Sequence, residues 1–173
     1  MSISYRLKYI AGLVSPGYTI ADIGTDHGYV PVFLLREKKI PYAIAVDLSK
    51  GSLEKAKELA QLAGLQEQMD CRLSDGLTDV KPGEAQCIII SGMGGILMRR
   101  ILEDGLETVL SARELILSPH RNPELILEFL QEHHFELVCD EIITDKKKNY
   151  RILKGIRNET VSSLQEQHLQ END

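Results

Sequence analysis

The sequence predicts an α/β sandwich: a mostly parallel seven-stranded sheet with helices on both faces and a C-terminal antiparallel hairpin. Three observations predict it. Strand-length apolar segments alternate with longer segments whose apolar residues recur at helical spacing. Residues 85–90 (Ala-Gln-Cys-Ile-Ile-Ile) are nearly continuous in apolar character, as a central parallel strand covered on both faces must be. Two further strand-like segments, 135–143 and 149–156, stand close together around a Lys-rich turn, which favours antiparallel pairing.

Residues 1–14 carry Leu7, Ile10 and Val14 at helical spacing, and Ser15-Pro16-Gly17 ends that helix with two breakers in succession. Residues 18–23 are a buried-strand candidate closed by Gly24. A helix is expected from about Gly28, with Pro31 tolerated in its first turn and Val30, Phe33 and Leu34 turned inward. Residues 42–46 form a second strand ending at Asp47. The next helix spans about 49–63, burying Leu53, Ala56, Ala60 and Ala63, with Gly64 as its stop. Residues 69–73 make a short third strand and 85–90 the fourth, after which Gly94-Gly95 opens a helix to about Glu103. Residues 114–117 form the fifth strand. Asn122-Pro123-Glu124 then reads as a helix start, with a cap, a proline at the first position and an acid in the first turn. Ile126, Phe129 and Leu130 mark its buried face. Five β-α units and a hairpin thus give one domain over residues 1–157. Residues 158–173 form a polar tail with too little apolar surface to pack by itself.

Bulk properties exclude some functions. The 173 residues suit one domain, and 43% apolar with 27% charged is ordinary globular composition. No apolar stretch is long enough to cross a membrane and the N-terminus lacks a signal-peptide core, so a cytoplasmic location without membrane association is expected. Cys71, Cys87 and Cys139 are odd in number and form no CxxC pair, which supports neither a disulfide framework nor a thiolate metal site. His133-His134 has no ligand cluster near it, and no metal is expected. Net charge is −6, but the tail holds four acids and no Lys or Arg; without it the count is 20 against 22, or −2. Basic clusters then stand out at Arg6/Lys8, Lys38/Lys39, Arg99/Arg100 and Lys146-Lys147-Lys148.

In open α/β sheets ligands bind outside the carboxyl ends of the strands, where the strand order reverses. Strand one is followed by Asp22-Ile-Gly24-Thr25-Asp26-His27-Gly28, a loop whose glycines let backbone approach a ligand. A dinucleotide fingerprint would need glycine at position 26, where a carboxylate would repel a pyrophosphate. A ligand carrying a sulfonium and an ammonium suits this acid-rich loop better, and S-adenosylmethionine carries both. Asp47, 23 residues after Gly24 and followed by Leu48, stands where an acid accepts from ribose hydroxyls. Asp75-Gly76 follows strand three, where a carboxylate accepts from an adenine amino group. Ser91-Gly92-Met93-Gly94-Gly95 ends strand four as bare backbone at the mouth of the site. Any one of these segments occurs by chance, and an Asp at a strand end is often a cap; the information lies in four such ends in succession.

The segments Asp22-Ile-Gly-Thr-Asp-His-Gly-Tyr-Val-Pro31, Ser74-Asp-Gly-Leu77 and Ser91-Gly-Met-Gly-Gly95 closely resemble the bacterial tRNA (adenine-22-N1)-methyltransferase family, and the likeness runs from about Tyr5 to Ile156. The resemblance implies a class I, Rossmann-like methyltransferase fold, S-adenosylmethionine as donor, and methylation of a tRNA adenine. It departs at Ser118-Pro119-His120, where the family usually carries Gln-Pro-Asn, and in the C-terminal helical domain the family usually adds.

Adenine N1 has a neutral lone pair and becomes cationic on methylation, so the catalyst must align the groups and offer a nearby acceptor. Asp26 is expected to face that region and His27 to shape the pocket; a helix-start cap and a structural histidine are the alternatives. Tyr5, Arg6 and Tyr29 are candidates for the nucleotide entrance, since aromatics stack on bases and Arg holds phosphate. Gly94 and His120 complete the substrate side. No Asn/Asp-Pro-Pro-Tyr segment follows strand four, which favours a ring nitrogen over an exocyclic amine. A small-molecule methyltransferase and a catalytically silent S-adenosylmethionine-binding protein remain alternatives.

Overall fold

The computed structural model of the chain describes residues 2–158, so the polar tail expected from 158 onward lies outside the described residues but for its first position. Its elements run α1 (Tyr5–Leu13), β1 (Ile20–Ile23), α2 (Tyr29–Arg36), β2 (Ala43–Asp47), α3 (Lys50–Leu62), β3 (Met69–Leu73), β4 (Cys87–Met93), α4 (Gly95–Asp104), α5 (Leu106–Ser111), β5 (Glu114–Pro119), α6 (Pro123–Glu132), β6 (Phe135–Asp145) and β7 (Lys148–Arg157). The sheet order is β3-β2-β1-β4-β5-β7-β6. β3, β2, β1, β4 and β5 are mutually parallel, and β7 is antiparallel to both β5 and β6. The chain moves outward from β1 to β3, then returns to lay β4 on the other side of β1. That reversal opens a crevice at the carboxyl ends of β1 and β4.

Alternation along each strand divides the core in two. Ile88 and Ile90 of β4 face the side covered by α4, α5 and α6, with Met98, Val109 and Phe129. Cys87 and Ile89 face the side covered by α1, α2 and α3, with Ile10, Leu34 and Ala56. A strand buried on both faces has no polar face to show, which is why β4 reads as a continuous apolar run. Cys87 is accordingly a packed core thiol, its pKa pushed up by burial and the neighbouring Glu114.

Two expectations need correction, and one helix, α5, was not expected. β3 runs into a turn-rich stretch with no helix before β4, so the β-α units number four rather than five. The short α5 had no clear periodic signal. Asn122 does precede α6, with Pro123 at its start, but lies in the left-handed region at φ 51° and makes no capping bond; its amide donates to Glu124 Oε1 at 3.1 Å.

Helix α1 is tied to the far end of the sheet. Glu114, 2% exposed, accepts from the Ser15 amide at 2.8 Å and hydroxyl at 2.7 Å. Lys154 Nζ lies 3.1 Å from Glu114 and donates to the Leu13 carbonyl at 2.6 Å. Lys39 Nζ donates to the Ala11 and Gly12 carbonyls at 3.0 and 2.8 Å. Two ammonium groups thus satisfy carbonyls that a helix end leaves open, and they complement its dipole. With its C-terminus fixed there, α1 projects its first turn over the crevice. Among the described residues no helix is long and apolar enough to cross a membrane.

Candidate functional site

The β1 loop is stitched to the end of β2. The Gly24 and Thr25 amides both donate to the Val46 carbonyl at 2.9 Å, and the Asp26 amide donates to Asp47 Oδ2 at 3.0 Å. Asp47 Oδ1 accepts from the Ser49 amide at 2.8 Å. Each Asp47 oxygen therefore keeps lone-pair capacity for a further donor. Gly24 (φ 71°), Asp26 (φ 57°) and Gly28 (φ 73°) all occupy the left-handed region. At Gly24 the backbone conformation is the requirement, since a Cβ there would meet only the movable end of the Met93 side chain.

Beneath the loop, Asp22 is 5% exposed and accepts from Thr25 Oγ1 at 2.8 Å. Burial pushes its carboxyl up to about 7, the Thr25 bond opposes this, and the Asp47 and Asp26 carboxylates add to the rise. A buried acid beside two carboxylates gives up its proton more readily once a cation enters the cavity, which favours a positively charged ligand.

That cavity, of about 320 Å³, is walled by Asp22, Gly24, Thr25, Asp26 and Tyr29 on one side and by Ser91, Gly92 and His120 on the other, with Arg6 and Leu7 of α1 above. Across Gly24 lies a smaller apolar lobe of about 80 Å³, bounded by Asp47, Leu48, Asp75, Gly76, Met93 and Leu97. A wider bowl of about 900 Å³ shares Arg6 and His120 with the first cavity and is completed by Gly94, Arg121, Lys148, Asn149 and Tyr150. His120 is held below the ordinary histidine range by partial burial and then by Arg6, with Lys148 and Arg121 adding; a backbone contact with Gly92 works against them.

The fold thus gathers most of the residues singled out from sequence. Three stand apart. His27 borders neither cavity; it lies 3.4 Å from both the Tyr29 hydroxyl and Lys55 Nζ, and 3.5 Å from Asp26 Oδ1. Gly28 packs against α3, where a Cβ would come within 2.8 Å of the Ala56 methyl. Tyr5 is 56% exposed and contacts Tyr9 rather than the cavity. Sequence reasoning gave no site role to Leu7, Val30, Ser74 and Leu97, although Val30 and Ser74 stand in the segments that carry the resemblance. It also missed Arg121, Lys148 and Tyr150 as neighbours of Arg6; the basic run at 146–148 was a signal, but not for that partnership. His133, half of the His pair, packs its ring against Phe129 at 4.4 Å.

Comparison with known proteins bears on this arrangement. Residues 3–153 match the family described as a methyltransferase domain. A Bacillus subtilis tRNA (adenine(22)-N(1))-methyltransferase is 35% identical over 88% of this chain, which spans 64% of that relative's length. A Streptococcus pneumoniae protein solved in complex with S-adenosyl-L-methionine superposes with a TM-score of 0.87 at 35% identity, over 91% of this chain and 74% of its own. An M. capricolum protein solved with S-adenosyl-homocysteine superposes with a TM-score of 0.84 at 26% identity, over 91% of this chain and 70% of its own. The seven-stranded, mostly parallel sheet expected from sequence is therefore the Rossmann-like methyltransferase fold. Sequence, sheet topology and the four strand ends agree: the chain belongs to the methyltransferase-domain family.

Proposed function

We propose that this chain transfers a methyl group from S-adenosylmethionine to N1 of an adenine in tRNA, at position 22 by similarity to the Bacillus subtilis relative. One observation carries the reading: Asp22, Asp26 and Asp47 converge on the Gly24 loop between a polar cavity and an apolar lobe. Three carboxylates fit a donor with two positive charges and repel a pyrophosphate. The residues present suit that donor. Asp47 and Leu48 would hold the ribose, Asp75 and Gly76 the adenine, and Ser91 and Gly92 would border the polar cavity while the Met93 side chain walls the apolar lobe. Gly24, Thr25 and Gly28 shape the loop itself.

When bound, S-adenosylmethionine supplies an electrophilic methyl on a sulfonium. Adenine N1 is already unprotonated at neutral pH, so the chain need not remove a proton before transfer. Its tasks are to orient the ring and to stabilise the positive charge the ring gains. Asp26, its side chain 72% exposed at the cavity mouth, offers a carboxylate for that charge. His27 acts as a positioning residue through its contacts with Asp26 and Tyr29. Tyr29, Gly94 and His120 bound the path of the base, with Tyr5 and Arg6 beyond them. A tRNA substrate puts the reaction in the cytoplasm.

The test is methyl transfer from labelled S-adenosylmethionine to unmodified tRNA, read by nucleoside mass spectrometry. Formation of 1-methyladenosine is expected. Donor binding without transfer to any tRNA would overturn the reading and favour a silent homologue or a small-molecule acceptor.

A further inference from the structure

The bowl beside the cavity has chemistry of its own. Its floor and walls come from four separate parts of the chain: the first turn of α1, Gly94 between β4 and α4, the loop after β5, and the start of β7. Arg6, Arg121 and Lys148 line it, and no Asp or Glu does, on a chain whose net charge is −6. The Arg6 guanidinium carbon sits 4.7 Å above the Tyr150 ring centroid, and the Tyr150 ring lies 6.1 Å from that of His120. A cation held over an aromatic face keeps its orientation with its N–H groups still free to donate. One of them, Arg6 Nη1, is buried and has no hydrogen-bond partner among the described residues. A buried donor without an acceptor is costly, and a small shift of the guanidinium toward an anionic oxygen in the bowl relieves it. The α1 amides are not the receptor: Leu7 N donates to Ser4 Oγ at 3.3 Å and Arg6 N to Asp145 Oδ2 at 3.2 Å.

A second, independent observation lies at the rim. The β6–β7 hairpin closes through Lys146 (φ 48°) and Lys147 (φ 65°), with Asp145 paired to Lys148 across the turn. Two successive left-handed residues are the turn that Asn-Gly forms with least strain. Lysine there is conformationally disfavoured, and such strain persists where the side chains serve a function.

We propose that this bowl and its lysine rim form the RNA-backbone docking site, in which Arg6, oriented by Tyr150, receives a phosphate next to the target nucleotide while Arg121 and Lys148 hold its neighbours. The inference rests on the tRNA-methyltransferase reading and adds where and by which groups the strand is held. Arg6 lines both the bowl and the cavity, so one contact couples strand docking to placement of the base.

The test uses the whole chain without methyl donor and a fluorescently labelled, unmodified tRNA transcript, with anisotropy followed against salt concentration. Removing one phosphate-binding cation lowers the slope of log affinity against log salt by about 0.7–0.9. Arg6→Ala/Arg121→Ala/Lys148→Ala is expected to lower the slope by roughly 2 and to weaken binding at least tenfold, with S-adenosylmethionine affinity kept as evidence of folding. Lys81→Ala, which removes a charge before the opposite end of β4, should leave the slope unchanged. Tyr150→Leu should weaken tRNA binding although it removes no charge. Replacing Lys146-Lys147 by Asn-Gly should raise Tm while lowering the slope, which a purely structural turn would not do. A triple variant with wild-type slope, or a wild-type chain that does not bind tRNA at low salt, overturns the proposal. Bowl-dependent binding without methyl transfer would keep the docking site and remove the proposed activity; transfer with an unchanged slope would do the reverse.

Discussion

Buried beneath the Gly24 loop, the Asp22 carboxyl is raised to about 7 from an ordinary value of 3.8. The folded chain therefore keeps a proton that the unfolded chain releases near pH 4. Stability from this group is fully present below that pH and is lost as the pH rises through about 7. Asp22→Asn mimics the protonated state and can still accept from Thr25. The fall in Tm between pH 5 and pH 8 should be smaller in this variant than in the wild type, as measured by scanning calorimetry without ligand. An identical fall would mean that Asp22 is ionised throughout. Asp26 invites a different experiment because its carboxylate faces solvent. Asp26→Asn tolerates the left-handed backbone while removing the charge. It should lower kcat for methyl transfer by about 10²-fold, with a much smaller loss of donor affinity, as expected for an acceptor used mainly where charge develops. A wild-type kcat would exclude that role.

Helix α4 begins at a backbone crossing. The Gly95 amide donates to the Arg121 carbonyl at 2.7 Å, and a Cβ at Gly95 would meet the carbonyl oxygens of Asn122 and Arg121. Neither oxygen can yield without moving the β5–α6 loop that carries His120 and Arg121. Gly95→Ala should therefore cost about 1–3 kcal/mol by overpacking, measured by urea unfolding. Gly94 supplies the comparison: nothing lies within 4 Å of a Cβ placed there, so Gly94→Ala should change stability by less than about 0.5 kcal/mol. Equal losses would show that the backbone crossing is not what distinguishes Gly95 from Gly94, since helix propensity alone favours alanine. The sequence displays two adjacent glycines at Gly94-Gly95 and cannot tell that only the second is sterically required. The edge strand β3 shows a similar limit. Its five residues were legible, but the absence of a helix after it follows from the way residues 74–86 pack against α4 and α5.

Over the molecule as a whole, the Glu114–Lys154 pair connects α1, β5 and β7 at the end of the sheet away from the cavity. Lys154 is 12% exposed, so Glu114→Ala leaves an ammonium group with little access to water. A loss of about 3–5 kcal/mol in urea unfolding is expected, with much of it restored in Glu114→Leu/Lys154→Met. If Glu114→Ala unfolds at the wild-type urea midpoint, the network is not what holds α1. Because Arg6 and Leu7 reach the cavity only through the placement of α1, the single variant should also weaken tRNA binding more than it weakens donor binding.

The sequence by itself determined the alternation of strands and helices, the central place of β4, and the acid and glycine positions at four strand ends. Those features rest on side-chain period, burial and local backbone freedom, which act over a few residues and are written in order along the chain. It also made Asp22 and Gly24 candidates for a ligand-facing loop, because four strand ends of this kind follow one another along the chain. Only the tertiary structure decided that His27 and Tyr5 turn away from the cavity while Leu7, Ser74 and Leu97 border its two lobes. Only it joined Arg6 to Tyr150 and Arg121, residues more than a hundred positions apart. Such contacts depend on where α1 crosses the sheet and how the β6–β7 hairpin folds back on β5. Those placements are fixed by long-range packing and by the buried Glu114 network, which leave no local pattern in the sequence.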